Sequence, residues 1–138
     1  MLKLKELTVN YLENPIGIDI EKPEFSWKLV SDEENTRQTA YRIVVGDVWN
    51  SGRVESDSSV FVKYDGETLK PKTRYDVCVT VWDNNGESAE ISGYFETGLM
   101  SWKNWKGRWI TNFDKDGYIS VFRKEFSPKK KLKKARIY

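Results

Sequence analysis

An all-β sandwich of about seven short strands is the fold that this sequence predicts for residues 1–98. Three observations predict it. Apolar and polar residues alternate in short runs, turn signals separate those runs about every 8–12 residues, and 14% of the 138 residues are aromatic. Rings pack well on a pleated, half-buried surface, so an aromatic chain with period-two patterning favours sheet.

The first run, Leu7-Thr8-Val9, is a weak strand, followed by the turn Asn14-Pro15-Ile16-Gly17. From Pro23 to Leu29 the alternation is strict, which puts Phe25, Trp27 and Leu29 on one face. The polar stretch from Ser31 to Thr39 reads as a loop. Tyr41, Ile43 and Val45 then supply the inner face of a strand that Gly46-Asp47 ends. Ser51-Gly52 and Asp65-Gly66 bracket two short runs, around Trp49 and around Val60-Phe61-Val62.

The longest strand extends from about Thr73 to Trp82. Tyr75, Val77, Val79 and Val81 lie on one face, with Asp76, Cys78, Thr80 and Trp82 on the other. Asp83-Asn84-Asn85-Gly86 turns the chain, and Tyr94 to Thr97 completes the set. No helix of more than about two turns is expected. The pattern is that of an immunoglobulin-like or fibronectin type III sandwich.

A tyrosine corner at Tyr75 sharpens this reading. In Leu69-Lys70-Pro71-Lys72-Thr73-Arg74-Tyr75 a proline-directed turn feeds a strand whose first inward residue is Tyr. In such sandwiches the phenol bonds to backbone a few residues upstream and fixes the crossing between sheets. A buried hydroxyl needs that partner. Leu69 closes the corner from the other side; the plainer alternative is an ordinary hairpin with a core Tyr.

Beyond residue 98 the charge reverses. Residues 1–98 hold 11 Lys and Arg against 18 Asp and Glu, whereas residues 99–138 hold 12 against 3. Such a shift marks a candidate boundary. Gly98 to Ser101 reads as a linker, with Trp102 and Trp105 flanking a single turn. Strands are expected at 106–110 and 121–126, and the start of another at 134–138. About 40 residues without a staple are too few for a core of their own. Residues 99–138 are therefore expected to be a short β-rich extension, the truncated beginning of a second, jelly-roll-like β-sandwich.

The chain has no histidine. That removes the commonest general acid-base group, the Ser-His and Cys-His nucleophiles, and imidazole metal ligands. The single cysteine, Cys78, rules out an internal disulfide. No apolar leader stands at Met1 to Glu6, and no run reaches the roughly 20 apolar residues of a membrane span. A cytoplasmic protein that engages no membrane is the expectation.

Several segments, taken in order, resemble the amino-terminal part of bacterial α-L-rhamnosidases. They are Tyr11 to Asp19, Pro23 to Leu29 with its Phe25-Ser26-Trp27, Arg37 to Ile43, Trp49 to Ser56, Val81-Trp82-Asp83, Phe95 to Gly98, Trp105 to Ile110 and Arg123 to Phe126. The resemblance implies a large modular glycoside hydrolase that begins with a fibronectin-like sandwich, continues through a jelly-roll-like one, and carries its active site on a later (α/α)₆ barrel. It implies removal of terminal α-L-rhamnose with inversion, by an acid and a base carboxyl spaced to admit water. The barrel lies outside this chain, so no catalytic, cofactor-binding or metal-binding residue is expected here.

The remaining motifs read two ways. Residues 112–120 follow a calcium loop, with oxygen ligands at positions 1, 3 and 5 and Gly117 at position 6. However, Arg123 stands at position 12, where a bidentate Glu belongs, and a polar hairpin turn is preferred. Lys129 to Lys134 suits a polyanion, but it lacks interleaved aromatics, so a solvated turn is preferred over nucleic-acid binding. Asp83 with Glu87, or Glu87 with Glu90, lie in or beside a turn and make poor acid-base pairs. Cys78 has no histidine to activate it. Trp82 is either a sugar-stacking platform or, preferably, a contact with a neighbouring domain.

The expected function is a non-catalytic scaffold within a rhamnosidase, with no cofactor. Its partners would be the later domains of the same enzyme, and rhamnosides only through the absent catalytic domain. Self-association through the truncated tail is a further expectation. The alternative is an independent module that binds carbohydrate or protein.

Overall fold

The computed structural model describes residues 1–111, 121–133 and 135–137. The chain forms β1 (Lys3–Val9), β2 (Ile16–Ile18), β3 (Glu24–Val30), β4 (Gln38–Val45), β5 (Trp49–Asn50), β6 (Val54–Glu55), β7 (Val62–Lys63), β8 (Arg74–Asp83) and β9 (Ser88–Thr97). They build two sheets. The smaller runs β1-β3-β7, and the larger runs β2-β9-β8-β4-β5 with β6 paired to β4.

The predicted inner faces meet between the sheets. Phe25 and Trp27 of β3, Ile43 and Val45 of β4, the Tyr75, Val77, Val79 and Val81 row of β8, and Phe95 of β9 are all buried. Each such side chain contributes roughly 1.5–3 kcal/mol by leaving water. Tyr41 and Leu29 pack against this core from its margin. Tyr41 meets Trp27 edge to face, with ring centroids 5.5 Å apart.

Gln38 satisfies the polar end of that aromatic pair. Its Oε1 accepts from Trp27 Nε1 at 2.9 Å, and its Nε2 donates to the carbonyls of Ser56 and Ser58 at 3.1 and 2.8 Å. One buried amide thus ties β3 and β4 to the loop before β7.

Where the strands differ from expectation, the reasons are local. β1 begins earlier than Leu7 because its pairing with β3 shifts between Lys5 and Thr8, with Glu6 at φ 52°. This bulge lets Leu4, Leu7 and Val9 all face the core. The segment expected as a turn at residues 14–17 leads into β2, which lies parallel to β9. Glu96 N donates to Pro15 O and Gly98 N to Ile18 O, each at 2.8 Å. The amino-terminal chain therefore crosses from the smaller sheet to the larger one and covers the edge of β9.

β9 starts at Ser88 instead of Tyr94, pairing with β8 from Trp82↔Ser88 to Arg74↔Glu96. Small Ala89 and Gly93 on its inner side hide the alternation.

After Gly98 the chain stays attached for a few residues. Met100 packs against the core, and its N–H donates to Asp19 Oδ1 at 2.6 Å. A single 3₁₀ turn follows at Trp102–Asn104. The strands expected at 106–110 and 121–126 do not form, and those residues are exposed. Among the described residues no strand pairs with them to take up their backbone hydrogen bonds. The expected start at 134–138 lies partly outside the described residues. Among the described residues no helix is long and apolar enough to cross a membrane.

Candidate functional surfaces

The tyrosine corner is present, with a second hydroxyl completing it. Lys70 N donates to the Tyr75 hydroxyl at 2.8 Å, and Thr97 Oγ1 donates to Lys70 O at 2.6 Å. Both backbone groups of Lys70 are therefore held, one by β8 and one by β9. Thr97 Oγ1 also accepts from Thr73 N at 3.0 Å. Beneath them the Tyr75 ring stacks on Phe95, with centroids 5.3 Å apart and planes 28° apart, while Leu69 is buried alongside.

A second buried phenol, Tyr64, donates to Glu67 O at 2.7 Å. Burial, then the neighbouring Tyr75 and Glu67, push its pKa up to about 12. Gly66 makes this arrangement possible. A Cβ there would stand 2.5 Å from both the Tyr64 hydroxyl oxygen and Trp49 Cβ.

The acidic residues weighed as acid-base pairs are occupied by structure. Asp83 is buried, and its Oδ1 accepts from Asn85 N at 2.9 Å and Glu87 N at 2.8 Å. It braces the β8–β9 turn. Glu87 Oε2 accepts from Leu2 N at 3.0 Å and so holds the amino-terminal segment. Glu90 meets the Thr80 hydroxyl at 3.4 Å on the outer face of the larger sheet.

Cys78 and Trp82 share that outer face, as their alternation predicts, and both are half-buried. Burial first, then a hydrogen bond to Glu90, raise the Cys78 pKa above its ordinary value; Ser92 and Arg42 oppose the shift. The thiol is thus poorly disposed to ionise. Trp82 is covered by the Arg53 guanidinium, 4.6 Å from its ring centroid, so one ring face is closed to a sugar.

Lower on the same face an open depression of about 530 Å³ is lined by residues that include Asn14, Arg74, Asp76, Cys78 and Tyr94. Three of its polar side chains, Asn14, Arg74 and Asp76, are engaged with one another or with backbone. Arg74 pairs with Asp76 and lies 3.7 Å over Tyr94, while Asn14 Oδ1 accepts from Tyr94 N at 2.9 Å.

The calcium-like loop at 112–120 lies outside the described residues, as does Lys134. Arg123, at the position of the missing Glu, pairs with Glu125. Lys129, Lys130, Lys131 and Lys133 are exposed. Among the described residues no group of three or more Cys, Asp or Glu gathers as a metal site would.

Four residues that organise this surface were missed in the sequence: Asn14, Gln38, Glu96 and Thr97. Each acts on a partner distant in the chain, and a lone polar residue carries no signal of that.

These features define an immunoglobulin-like structural module, whose polar side chains are engaged chiefly in holding strands and turns together. Residues 4–101 match the Rha78A-like, N-terminal immunoglobulin domain, and the chain belongs to that family. It is 40% identical over 121 residues to an α-L-rhamnosidase of Streptomyces avermitilis, a match covering 80% of this chain and 12% of that protein. The solved structure of the Streptomyces avermitilis α-L-rhamnosidase complexed with L-rhamnose superposes with a TM-score of 0.77 at 39% identity, covering 80% of this chain and 12% of that one. An α-L-rhamnosidase structure from Dictyoglumus thermophilum gives a TM-score of 0.74 at 38% identity, over 78% of this chain and 14% of that one. The chain thus spans about an eighth of the length of these relatives.

Proposed function

We propose that the chain is the non-catalytic amino-terminal module of an α-L-rhamnosidase that removes terminal α-L-rhamnose with inversion. The observation that carries this reading is a match running along most of this chain yet spanning only a small share of each relative. Inversion requires two carboxyl groups about 6.5–9.5 Å apart with room for water between them. Asp83 is taken by its turn and Glu87 by the amino-terminal segment, which favours a scaffold. Residues 99–138 are read as the beginning of a second β-sandwich. Their exposed Trp109, Ile110, Val121, Phe122 and Phe126 suit strands completed by later parts of the enzyme.

The test is enzymatic and genetic. The chain is expected to release no p-nitrophenol from p-nitrophenyl α-L-rhamnoside, and measurable turnover would overturn the reading. Its gene is expected to continue for several hundred codons beyond Tyr138; a stop codon directly after Tyr138 would leave an independent binding module.

A further inference from the structure

On the outer face of the larger sheet, Arg74 of β8 and Glu96 of β9 are direct cross-strand neighbours. Opposite charges so placed ordinarily pair. Here Arg74 turns to Asp76, with Nε 3.1 Å from Oδ1, and stacks over Tyr94. Glu96 receives a different cation. Its Oε2 accepts from Arg136 Nε at 2.9 Å and Nη2 at 2.7 Å, across 40 residues of chain. The Glu96 side chain is 8% exposed and that of Arg136 36%, so water screens this contact less than a surface pair.

The charge of the two segments runs the same way. The sandwich is acidic, and residues 99–138 are strongly basic. The position of Glu96 is also firmly set. Its own N–H is held by Pro15 O, the next residue is Thr97 of the corner, and Gly98 N is bonded to Ile18 O. The planar fork of Arg suits a fixed carboxylate better than the mobile point charge of Lys.

We propose that Glu96 is a docking socket for the basic segment that follows the sandwich, holding it through Arg136 against the outer face of the larger sheet. The socket restricts the motion of residues 135–137, and it connects that restriction to the corner that fixes β9. It is a property of this chain alone and is independent of the rhamnosidase reading.

Nitrogen-15 relaxation on the 138-residue chain tests it, with the Arg136 Nε–H and the amides of 135–137 as reporters. In the wild type their heteronuclear NOE values should approach those of the sandwich backbone. In Glu96→Gln they should fall to the level of exposed Arg123, with the amide shifts of β4, which does not pair with β9, unchanged as the control for folding. Arg136→Ala, which leaves the sandwich intact, should shift the Glu96 and Arg74 amides. A mobile Arg136 in the wild type, or values unmoved by Glu96→Gln, would overturn the proposal. A dependence of the wild-type values on protein concentration would also overturn it, by placing Arg136 of one copy on Glu96 of another.

Discussion

Replacing Tyr75 with Phe isolates the corner from the rest of the core. The ring keeps its stack on Phe95, and only the oxygen that accepts from Lys70 N at 2.8 Å is lost. Removing one partner of a covered hydrogen bond costs about 1–3 kcal/mol, because the other partner is left unpaired. Thr97 still holds Lys70 O at 2.6 Å, so the turn is not released altogether and a value of about 2 kcal/mol follows. For a domain of this size that lowers the melting temperature by about 10 °C. It also moves the urea midpoint by about 1–2 M at unchanged slope.

Urea unfolding followed by tryptophan fluorescence measures both quantities. Thr97→Val removes the other hold on Lys70, so the double variant should be non-additive by about 0.5 kcal/mol or more. A change below about 0.5 kcal/mol in Tyr75→Phe, the range of an indifferent surface substitution, would refute the assignment of the corner as a structural device.

Other outcomes follow from the same geometry. Gly66→Ala should destabilise the fold by about 1–3 kcal/mol, since the added methyl displaces Trp49 or breaks the Tyr64–Glu67 bond; an unchanged thermal midpoint would contradict this. Tyr64 should make the fold sensitive to alkali. Its phenol keeps its proton to about pH 12 when folded but ionises near its ordinary value of 10.0 when unfolded. Between those values the unfolded chain binds fewer protons, so stability falls as pH rises, by about 2–3 kcal/mol in total. Tyrosinate absorbance during unfolding at pH 9, 10.5 and 11.5 checks the sign. Cys78 should react with Ellman's reagent at pH 8 at least several-fold more slowly than free cysteine, and recover the ordinary rate in denaturant. Free-cysteine reactivity in the folded chain would show that its raised pKa and partial cover have been misjudged.

Residues 23–29, 41–45 and 73–82 announced themselves because alternation is the direct imprint of a half-buried strand. The corner was legible too, since Leu69, Pro71 and Tyr75 lie within seven residues of one another. Thr97 was not, because its hydroxyl acts on a carbonyl 27 residues away. β2 was hidden by Pro15 and Gly17, which carry turn signals, while parallel edge pairing leaves no periodic trace. The tail showed the opposite failure. Its alternating apolar residues predict strands, but a strand forms only where another backbone is present to pair with it. Asp83 shows how a candidate site resolves into structure, its carboxylate accepting two turn amides instead of facing a cleft. The attachment of Arg136 to Glu96 had no sequence signal, because one charge pair among 44 charged residues is invisible until the fold brings it together.

The central claim, that this sandwich is a scaffold and not a sugar-binding unit, is tested most directly by titrating L-rhamnose into the nitrogen-15-labelled chain. A scaffold gives only small shifts spread evenly over the amides, with no saturation into the millimolar range. Saturable shifts localised around Trp82, or around the Arg74–Tyr94 depression, would contradict the account and identify a binding module.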